Sequence, residues 1–336
     1  MKDIKDLLFK LSSADGIGNI TAAKQTAFAE LSKYCETKFE GNNIIGVLKG
    51  ENEDKSIMVE AHIDEVGFTV TNVDESGFLT LTKCGGIDLR SLPARKIKVH
   101  GKREVICTFC STPPHLKNGE ERFQDITELK VDSLLGSKAK DVISVGDFAN
   151  YCTTPCELLN DRVTGKALDD RAGVVCVIET AKRLSTKKLP FNVLFVLSDQ
   201  EEIGTRGAKT ATFTASPESA ICIDVSFGDG PGISADECGK MGQGAMIGFS
   251  PSLDSDMSKA LLKVAKANNI PYQTEIMSGL TGTDADVVSI SKSGVKTSLL
   301  SIPLRNMHTD CEIVDLKDVL SVCDIIEKYI GGAFND

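Results

Sequence analysis

Two adjacent carboxylates follow a strongly apolar segment in the second half of the chain. Glu201 and Glu202 come directly after the stretch LFVLSDQ, which reads as a buried strand and the turn that follows it. Two like charges at such a position repel each other unless they are solvated or a cation lies between them. A solvated surface turn would explain them without any function, whereas a bound metal ion would explain both the charges and their place.

Other residues with metal-binding side chains also stand at the ends of predicted elements. His62 lies near the end of the buried stretch SIMVEAHID, and Asp64 follows it on the same face of the strand. Asp224 lies near the end of the strand-like run SAICIDVS. The remaining candidates stand before a predicted helix or after a predicted strand: Asp169, Asp170 and His308.

These side chains can converge, because the carboxyl ends of parallel strands meet at one edge of a sheet. Two histidines with several carboxylates form a nitrogen and oxygen donor set that suits Zn²⁺, Co²⁺ or Mn²⁺. Each residue alone has an ordinary explanation as a helix cap, a solvated turn or a structural histidine. Since all of them stand at element boundaries, a shared metal site explains the set better than several coincidences. The other two histidines, His100 and His115, are expected to be structural or surface residues.

The elements that must position these residues alternate in type along most of the chain. Short apolar runs alternate with helical stretches, which predicts an α/β fold with a largely parallel sheet flanked by helices. One helix is expected from Ala172, and the last from the N-cap Asp315 to Gly331. In residues 67–162, short alternating strands and turns predict an inserted all-β domain. We therefore expect a discontinuous catalytic domain, residues 1–66 and 163–336, around an inserted β domain, residues 67–162.

The composition narrows the classes of partner. The 336 residues carry a net charge of −10, and they contain no basic patch of the kind that binds nucleic acid or an anionic membrane. No apolar run is long enough to span a bilayer, and the amino end has a helical pattern with acidic residues rather than a signal peptide. The sequence predicts a cytoplasmic protein whose cysteines stay reduced, and no structural zinc is expected at Cys107 and Cys110.

The motifs, taken as a set, resemble those of one family. AHIDEVGF, KALDDRAG, SDQEEIGTRGA, IDVSFGDGPG, TGTDAD and RNMHT occur in this order, with the β insertion after the first of them. They are similar to the motifs of the M42 metallo-aminopeptidases, the tetrahedral or TET-type enzymes with glutamyl aminopeptidase-like members. The resemblance covers essentially the whole chain. It implies a zinc-aminopeptidase fold in which a mixed, largely parallel sheet carries an inserted PDZ-like β-barrel.

The resemblance also implies a metal centre. Two divalent ions per subunit, most often zinc or cobalt and sometimes manganese, would share one bridging carboxylate, the first aspartate of the DD pair, reached through a cis peptide. The implied ligands are Asp169 as the bridge, His62 and Asp224 at one ion, and Glu202 and His308 at the other.

The catalytic roles implied by the resemblance fall to two further carboxylates. Metal coordination would activate a bridging water, and Glu201 would accept its proton and pass it to the leaving amine. Asp64 would hold His62 from behind, and Thr281–Asp286 would line the site. The family further implies a hollow homododecamer that removes residues from the amino ends of short peptides.

Three other functions fit part of the pattern. Another two-metal amidohydrolase, such as a carboxypeptidase or a deacylase, could use similar ligands and would not require a free amino group on its substrate. A glycosidase could use paired carboxylates, but it would leave the histidines without a role. A metal-stabilised assembly without activity would have no use for Glu201, the carboxylate expected outside the ligand set.

Overall fold

The apolar runs of the sequence form one large sheet, and the short alternating runs form a separate barrel. The computed structural model describes residues 1–116 and 125–332. In chain order the strands are β1 (Glu36–Glu40), β2 (Asn43–Leu48), β3 (Asn52–His62), β4 (Gly67–Val73), β5 (Phe78–Cys84), β6 (Lys96–His100), β7 (Glu104–Phe109), β8 (Val131–Asp132), β9 (Phe148–Tyr151), β10 (Cys156–Glu157), β11 (Arg162–Gly165), β12 (Phe191–Ser198), β13 (Ser219–Phe227), β14 (Ala245–Phe249), β15 (Tyr272–Ile276), β16 (Lys296–Arg305) and β17 (Glu312–Asp315). The helices are α1 (Lys2–Ser12), α2 (Ala22–Leu31), α3 (Ala139–Val142), α4 (Leu168–Leu184), α5 (Arg206–Ala215), α6 (Ser255–Ala267), α7 (Ala285–Ser289) and α8 (Leu316–Gly332).

Four parallel strands form the centre of the large sheet. β12, β3, β13 and β16 are neighbours in this order, and every adjacent pair among them is parallel. Strands β2 and β1 extend the sheet beyond β12, whereas β17, β11 and β10 extend it beyond β16. These outer strands pair antiparallel, and β14 with β15 branches from β16. The sheet is therefore mixed with a parallel centre, and the carboxyl ends of its four central strands lie along one edge.

Helices cover both faces of this sheet. On one face α4 is buried along most of its length, and it packs against α1, α8, β3 and β13. On the other face, alanines of α5 and α7 pack on β2, β3 and β16 in a second apolar cluster. Because both faces are covered, the central strands carry near-continuous apolar runs rather than an alternating pattern. Each fully buried Val, Leu or Ile contributes about 1.5–3 kcal/mol to the free energy of unfolding.

The middle of the chain closes into an antiparallel barrel. Its six strands follow the order β4, β5, β8, β7, β6, β9, and β9 pairs back to β4. The barrel has its own apolar core, in which Phe68 meets Phe109 and Tyr151 edge to face, with ring centroids 5.3 Å and 5.8 Å apart. A core of its own is what an independently folding insertion requires.

A buried charge cluster joins the barrel to the large sheet. The Nζ atom of Lys166 lies 2.8 Å from a carboxylate oxygen of Glu65 and 3.3 Å from one of Asp15. The side-chain amide of Asn150, on the last barrel strand, donates to both carboxylates. Since the donors and acceptors satisfy one another, the charges can be buried. Glu65 is the residue after Asp64 and precedes β4, the first barrel strand, whereas Lys166 follows β11. The cluster therefore links the segment that enters the barrel to the segment that returns to the large sheet.

The predicted fold is confirmed as a mixed, largely parallel sheet with helices and an additional β-barrel. The helix expected from Ala172 begins at Leu168, but Asp169 and Asp170 have non-helical φ and ψ angles inside it. The last helix follows Asp315, whose Oδ1 accepts a hydrogen bond from the Lys317 N–H, as expected for an N-cap. Within residues 1–116 and 125–332, no helix has both the length and the apolar character needed to cross a membrane.

Candidate active site

The candidate residues meet where the four central strands end. His62 is the last residue of β3, and Asp224 lies three residues before the end of β13. Glu201 and Glu202 follow β12, and His308 follows β16. Asp169, at the start of α4, reaches the same place from the helix layer. The folded chain thus brings together, at one edge of the sheet, all the residues expected to ligate metal.

The first group of donors, which we call the His62 cluster, consists of His62, Asp169 and Asp224. The Nε2 atom of His62 lies 3.0 Å from Asp169 Oδ1 and 4.0 Å from Asp224 Oδ1. All three residues are buried, which keeps bulk water from competing for their donor atoms.

The second group, the His308 cluster, consists of Asp169, Glu202 and His308. The Nε2 atom of His308 lies 3.2 Å from Asp169 Oδ2 and 3.4 Å from Glu202 Oε2. The Nδ1–H group of His308 donates to the carbonyl oxygen of Gly86, at 2.6 Å. This bond fixes the tautomer of the neutral ring, in which Nε2 carries the free lone pair. A Cβ atom on residue 86 would stand 3.1 Å from that Nδ1, so any other residue there would crowd the imidazole.

Asp169 is the residue that the two clusters share. One of its carboxylate oxygens faces His62 and the other faces His308. Its neighbour Asp170 turns away, because Asp170 Oδ1 accepts a hydrogen bond of 2.9 Å from the Gly173 N–H inside α4. The peptide bond between the two aspartates is cis, as the resemblance implied. Of the DD pair, only Asp169 faces the histidines.

Glu201 belongs to neither cluster. Its carboxylate forms no hydrogen bond or ion pair with any residue in the described part of the chain, although its backbone N–H donates to Asp64 Oδ1 at 3.0 Å. Asp64 also accepts from the Glu202 N–H at 3.2 Å and lies 3.5 Å from His62 Nδ1. Asp64 therefore faces His62, as expected, and in addition holds the backbone of both glutamates, a role that the sequence did not reveal.

The site carries more negative than positive charge. Burial raises the pKa of Glu201 to about 7, and it raises the pKa values of Glu202 and Asp224 well above their usual range. Burial alone would lower the pKa of a histidine, but neighbouring carboxylates outweigh it at His62 and His308 and raise both values, that of His308 to about 9. These shifts have the direction expected where several carboxyl groups lie close together in a buried site.

The donor atoms fit divalent metal ions. Each cluster offers one imidazole nitrogen and two carboxylate oxygens, and within a cluster these atoms all lie within 4.8 Å of one another. A mixed nitrogen and oxygen set of this kind suits Zn²⁺, Co²⁺ and Mn²⁺. The excess of buried carboxylates supplies the charge complement that two cations need.

The metal-free site is expected to bind divalent ions more tightly as the pH rises from about 6 to about 8. A pKa of about 9 keeps the His308 ring protonated over this range, and an incoming cation must displace that proton. Each displaced proton raises the apparent affinity about tenfold per pH unit. Competition with a chelator at several pH values measures the slope, and a flat profile would contradict a protonated ligand.

A pair of buried carboxyl groups supports the site from beneath. The Ser198 hydroxyl lies 2.7 Å from Glu60 Oε1 and 2.7 Å from Asp284 Oδ2. Because one hydroxyl donates one hydrogen, one of the carboxyls must itself be protonated. Burial raises the pKa values of both carboxyls. This contact ties Asp284, within the TGTDAD motif, to the ends of β3 and β12, and Glu60 was not among the residues predicted for the site.

Glu312 is a second residue that the sequence did not single out. Its side chain is buried, and Oε2 accepts from the backbone N–H groups of Leu168, at 2.7 Å, and Asp169, at 3.2 Å. Oε1 accepts from the N–H of His308, at 2.8 Å, a residue held in the left-handed region at φ 62°. A single carboxylate thus fixes the backbone of two candidate ligands. Its position four residues after His308 was the only available signal.

Glu312→Gln is expected to weaken metal binding about 10- to 100-fold, the usual effect of removing an outer partner of metal ligands. The new amide group would have to point its N–H₂ at a backbone N–H, so His308 or Asp169 would lose its support. Calorimetric titration of the metal-free variant measures the affinity and the number of ions bound.

Asp318→Asn is the matched control for that variant. Asp318 is also a buried carboxylate, and it accepts from the N–H groups of Gly242 and Gly244, each at 2.7 Å, away from both clusters. Asp318→Asn is expected to lower the melting temperature and to leave metal affinity unchanged. Native metal affinity in Glu312→Gln would show that Glu312 supports the fold alone.

The residues that the sequence set aside lie elsewhere. His100 is in the barrel, with Nε2 2.9 Å from Asn150 Oδ1, and His115 is exposed. Asp15, His100 and Glu104 do approach one another, but Lys98 Nζ lies 2.8 Å from Asp15 and 3.4 Å from Glu104, so a cationic side chain already compensates them.

Comparison with known proteins agrees with this geometry. The profile of the family described as M42 glutamyl aminopeptidase matches residues 42–325. A lysyl aminopeptidase of Pyrococcus furiosus is 32% identical over 289 residues, which cover 82% of this chain and 81% of the relative.

Solved structures are similar over nearly the whole chain. An aminopeptidase from the archaeon Desulfurococcus kamchatkensis superposes with a TM-score of 0.92 at 29% identity, covering 98% of this chain and 95% of that one. The TET1 peptidase of Pyrococcus horikoshii, which can assemble into a tetrahedron or a large octahedral shell, gives a TM-score of 0.86 at 29% identity, with 98% and 99% covered. The similarity includes both the large sheet and the barrel.

Proposed function

Because this chain belongs to the M42 glutamyl aminopeptidase family, we propose that its two clusters bind two divalent metal ions per subunit and that Glu201 is the general base. The chain is an aminopeptidase, a hydrolase of peptide bonds. One observation carries the proposal: Asp169 belongs to both ligand clusters and Glu202 belongs to one, whereas Glu201, the residue next to Glu202, belongs to neither. This arrangement explains why the sequence places two glutamates side by side, since one is a ligand and the other remains free to exchange protons.

The reaction needs a proton acceptor beside the attacking water. Two divalent ions, when bound, supply Lewis acidity to the substrate carbonyl and lower the pKa of water. Glu201 accepts a proton from the attacking water and later delivers it to the leaving amine. Among the described residues its carboxylate has no hydrogen-bond or ion-pair partner, and Asp64 accepts a hydrogen bond from its backbone N–H. Asp64 further orients His62 by facing its Nδ1.

The charge of the site favours the amino end of a peptide. Glu201 is a carboxylate outside both ligand clusters, so the crevice can hold a protonated amino group, whereas the two clusters offer no cationic Lys or Arg side chain to a peptide's carboxylate. Attack is thereby confined to the first peptide bond. A carboxypeptidase would need a cationic group in the crevice to receive the substrate's carboxylate, and both ligand clusters consist of histidines and carboxylates.

The ligand set supports zinc or cobalt as the bound ion, with manganese as a third possibility. Neutral imidazole and carboxylate are ligands that all three ions accept, whereas calcium and magnesium prefer oxygen alone.

We also propose a homododecamer built with the help of the barrel. The TET1 peptidase of Pyrococcus horikoshii can assemble into a tetrahedron. Residues 67–162, as an inserted domain, would supply contacts and control substrate access to the catalytic part, residues 1–66 and 163–336. Exposed apolar side chains on the barrel, Ile106, Leu134 and Val145, support a role in assembly. Light scattering should give a mass about twelve times the 36.0 kDa subunit mass.

The test of the proposed function is hydrolysis of amino-acid p-nitroanilides by metal-stripped protein with zinc, cobalt or manganese added back. Metal-dependent release from substrates with a free amino group, and none from their N-acetylated forms, is expected. Equal hydrolysis of the acetylated forms would indicate a deacylase instead. Activity that persists after the metal ions have been removed would show that they take no part in the reaction.

A further inference from the structure

A cavity beside the candidate metal clusters is unused by the chemistry described so far. It has a volume of about 560 Å³ and lies against the ends of β13 and β15. Cavities of this size accommodate one amino-acid side chain together with part of its backbone. Its walls include the apolar side chains of Phe227, Ile233, Ile276 and Met277, and Phe227 and Ile276 are largely exposed to solvent.

The cavity is adjacent to the reacting groups through the strand register. Asp224, a member of the His62 cluster, is paired with Ser301 across β13 and β16. Ser226, two residues further along β13, lies on the same face as Asp224 and lines the cavity. Both serine hydroxyls donate to the carboxylate of Glu275, that of Ser301 at 2.6 Å. Glu275 therefore lies next to a candidate metal ligand, on the same face of the sheet.

The charge of the cavity is negative. Glu275 is half-buried, and Asp236 and Glu237 stand at the rim. None of the described residues that line the cavity is Lys or Arg, and in the part of the chain that the structure describes no ion pair involves Glu275. The two serines hold both oxygens of Glu275 in place, yet each oxygen keeps a lone pair for a ligand. A fixed carboxylate without a cationic partner is thus available beside the site.

A second cavity near the site lacks this property. It has a volume of about 440 Å³, and its lining includes Asp64, residues between 17 and 24, and the loop that carries the glutamates. Its buried lysine, Lys24, already forms an ion pair of 3.0 Å with Asp199. Lys24 is therefore not available to a ligand, and the carboxylates of Asp64 and Glu65 in the same cavity are already held by the N–H groups of Glu201 and Glu202 and by Lys166, respectively.

We propose that the 560 Å³ cavity receives the side chain of the substrate's first residue and that Glu275 selects lysine or arginine there; this inference rests on the proposed function. The aliphatic stem of a lysine or arginine would pack on Phe227 and Met277, and its charged head would reach Glu275. An acidic first residue would be repelled by the three carboxylates. An apolar first residue would leave the carboxylate of Glu275 desolvated and unpaired.

The experiment compares lysine, arginine, leucine and glutamate p-nitroanilides, all with free amino groups, on the metal-loaded protein. The wild-type chain is expected to hydrolyse the lysine and arginine substrates with a kcat/KM about tenfold or more above the other two. Glu275→Gln is expected to lower kcat/KM for the basic substrates about 10- to 100-fold and to raise it for leucine, because a neutral amide costs less to desolvate than a carboxylate. The glutamine keeps its serine contacts, because hydroxyls both donate and accept.

Glu53→Gln is the control, since Glu53 is an exposed carboxylate near the opposite, amino end of β3 and should change none of the four values. A wild-type preference for leucine or glutamate overturns the inference and leaves the aminopeptidase function standing. An equal loss on all four substrates in Glu275→Gln also overturns it, since that pattern indicates a structural role. Failure to cleave any of the four substrates with any metal would overturn the proposed function itself, and the inference with it.

Discussion

Glu201→Gln is expected to bind two metal ions per subunit with native affinity and to hydrolyse peptides about 10² to 10⁴ times more slowly than the wild-type chain. The carboxylate of Glu201 faces the crevice without a partner in the described residues, and it belongs to neither ligand cluster. Glutamine has the same size but cannot accept a proton from water at neutral pH. The change therefore removes proton transfer and leaves the ligands intact.

The measurement pairs kinetics with metal analysis on the same preparation. Metal content is determined after dialysis, and kcat is determined at saturating substrate, so that lost turnover is separated from lost binding. Glu202→Gln, one residue away, is the control, because Glu202 belongs to the His308 cluster and its change should lower metal content as well as activity. Full activity in metal-loaded Glu201→Gln would show that a residue other than Glu201 is the general base.

Asp169→Asn is expected to abolish stable binding of both metal ions, whereas Glu202→Gln should abolish binding of only one ion. Asp169 gives one oxygen to each cluster, at 3.0 Å from His62 Nε2 and 3.2 Å from His308 Nε2. Outer partners of metal ligands already change affinity about 10- to 100-fold, so a shared ligand should cost at least about a hundredfold at each site. Calorimetry should give a stoichiometry near zero for Asp169→Asn at ion concentrations that fill both wild-type sites.

Asp170→Asn separates the roles of the two aspartates. Its carboxylate accepts the Gly173 N–H within α4, and an asparagine side chain can still accept that bond. This variant is expected to keep both ions and most of the activity. If Asp170→Asn lost both ions while Asp169→Asn kept them, the bridging role would belong to Asp170.

The residues that the sequence located are those whose chemistry coincides with a boundary between elements. His62 and Asp224 stand at or near the ends of apolar runs, so both their type and their place along the sheet edge could be read without coordinates. The barrel was equally accessible, because its strands alternate apolar and polar residues between turns, unlike the continuous runs of the central strands.

The residues that the sequence did not locate act through partners far away along the chain. Glu312 binds the backbone of Leu168, 144 residues earlier, and Lys166 meets Glu65 101 residues away. The carboxyl group of Glu60 contacts the hydroxyl of Ser198, 138 residues later. A single sequence contains no record of which distant segments meet, and a buried carboxylate has no pattern that separates it from a surface one. The fold supplies that pairing, so these contacts became visible only in three dimensions.

The interleaving of the site along the chain has a consequence for synthesis on the ribosome. His62 meets Asp169 107 residues later, and His308 meets Gly86 222 residues earlier. The nascent polypeptide emerges at about 5–20 residues per second, so tens of seconds separate the two histidines. Until His308 has left the exit tunnel, the His308 cluster has no histidine, so an activity that needs both clusters cannot begin. Activity is thereby delayed until nearly the whole polypeptide has been made.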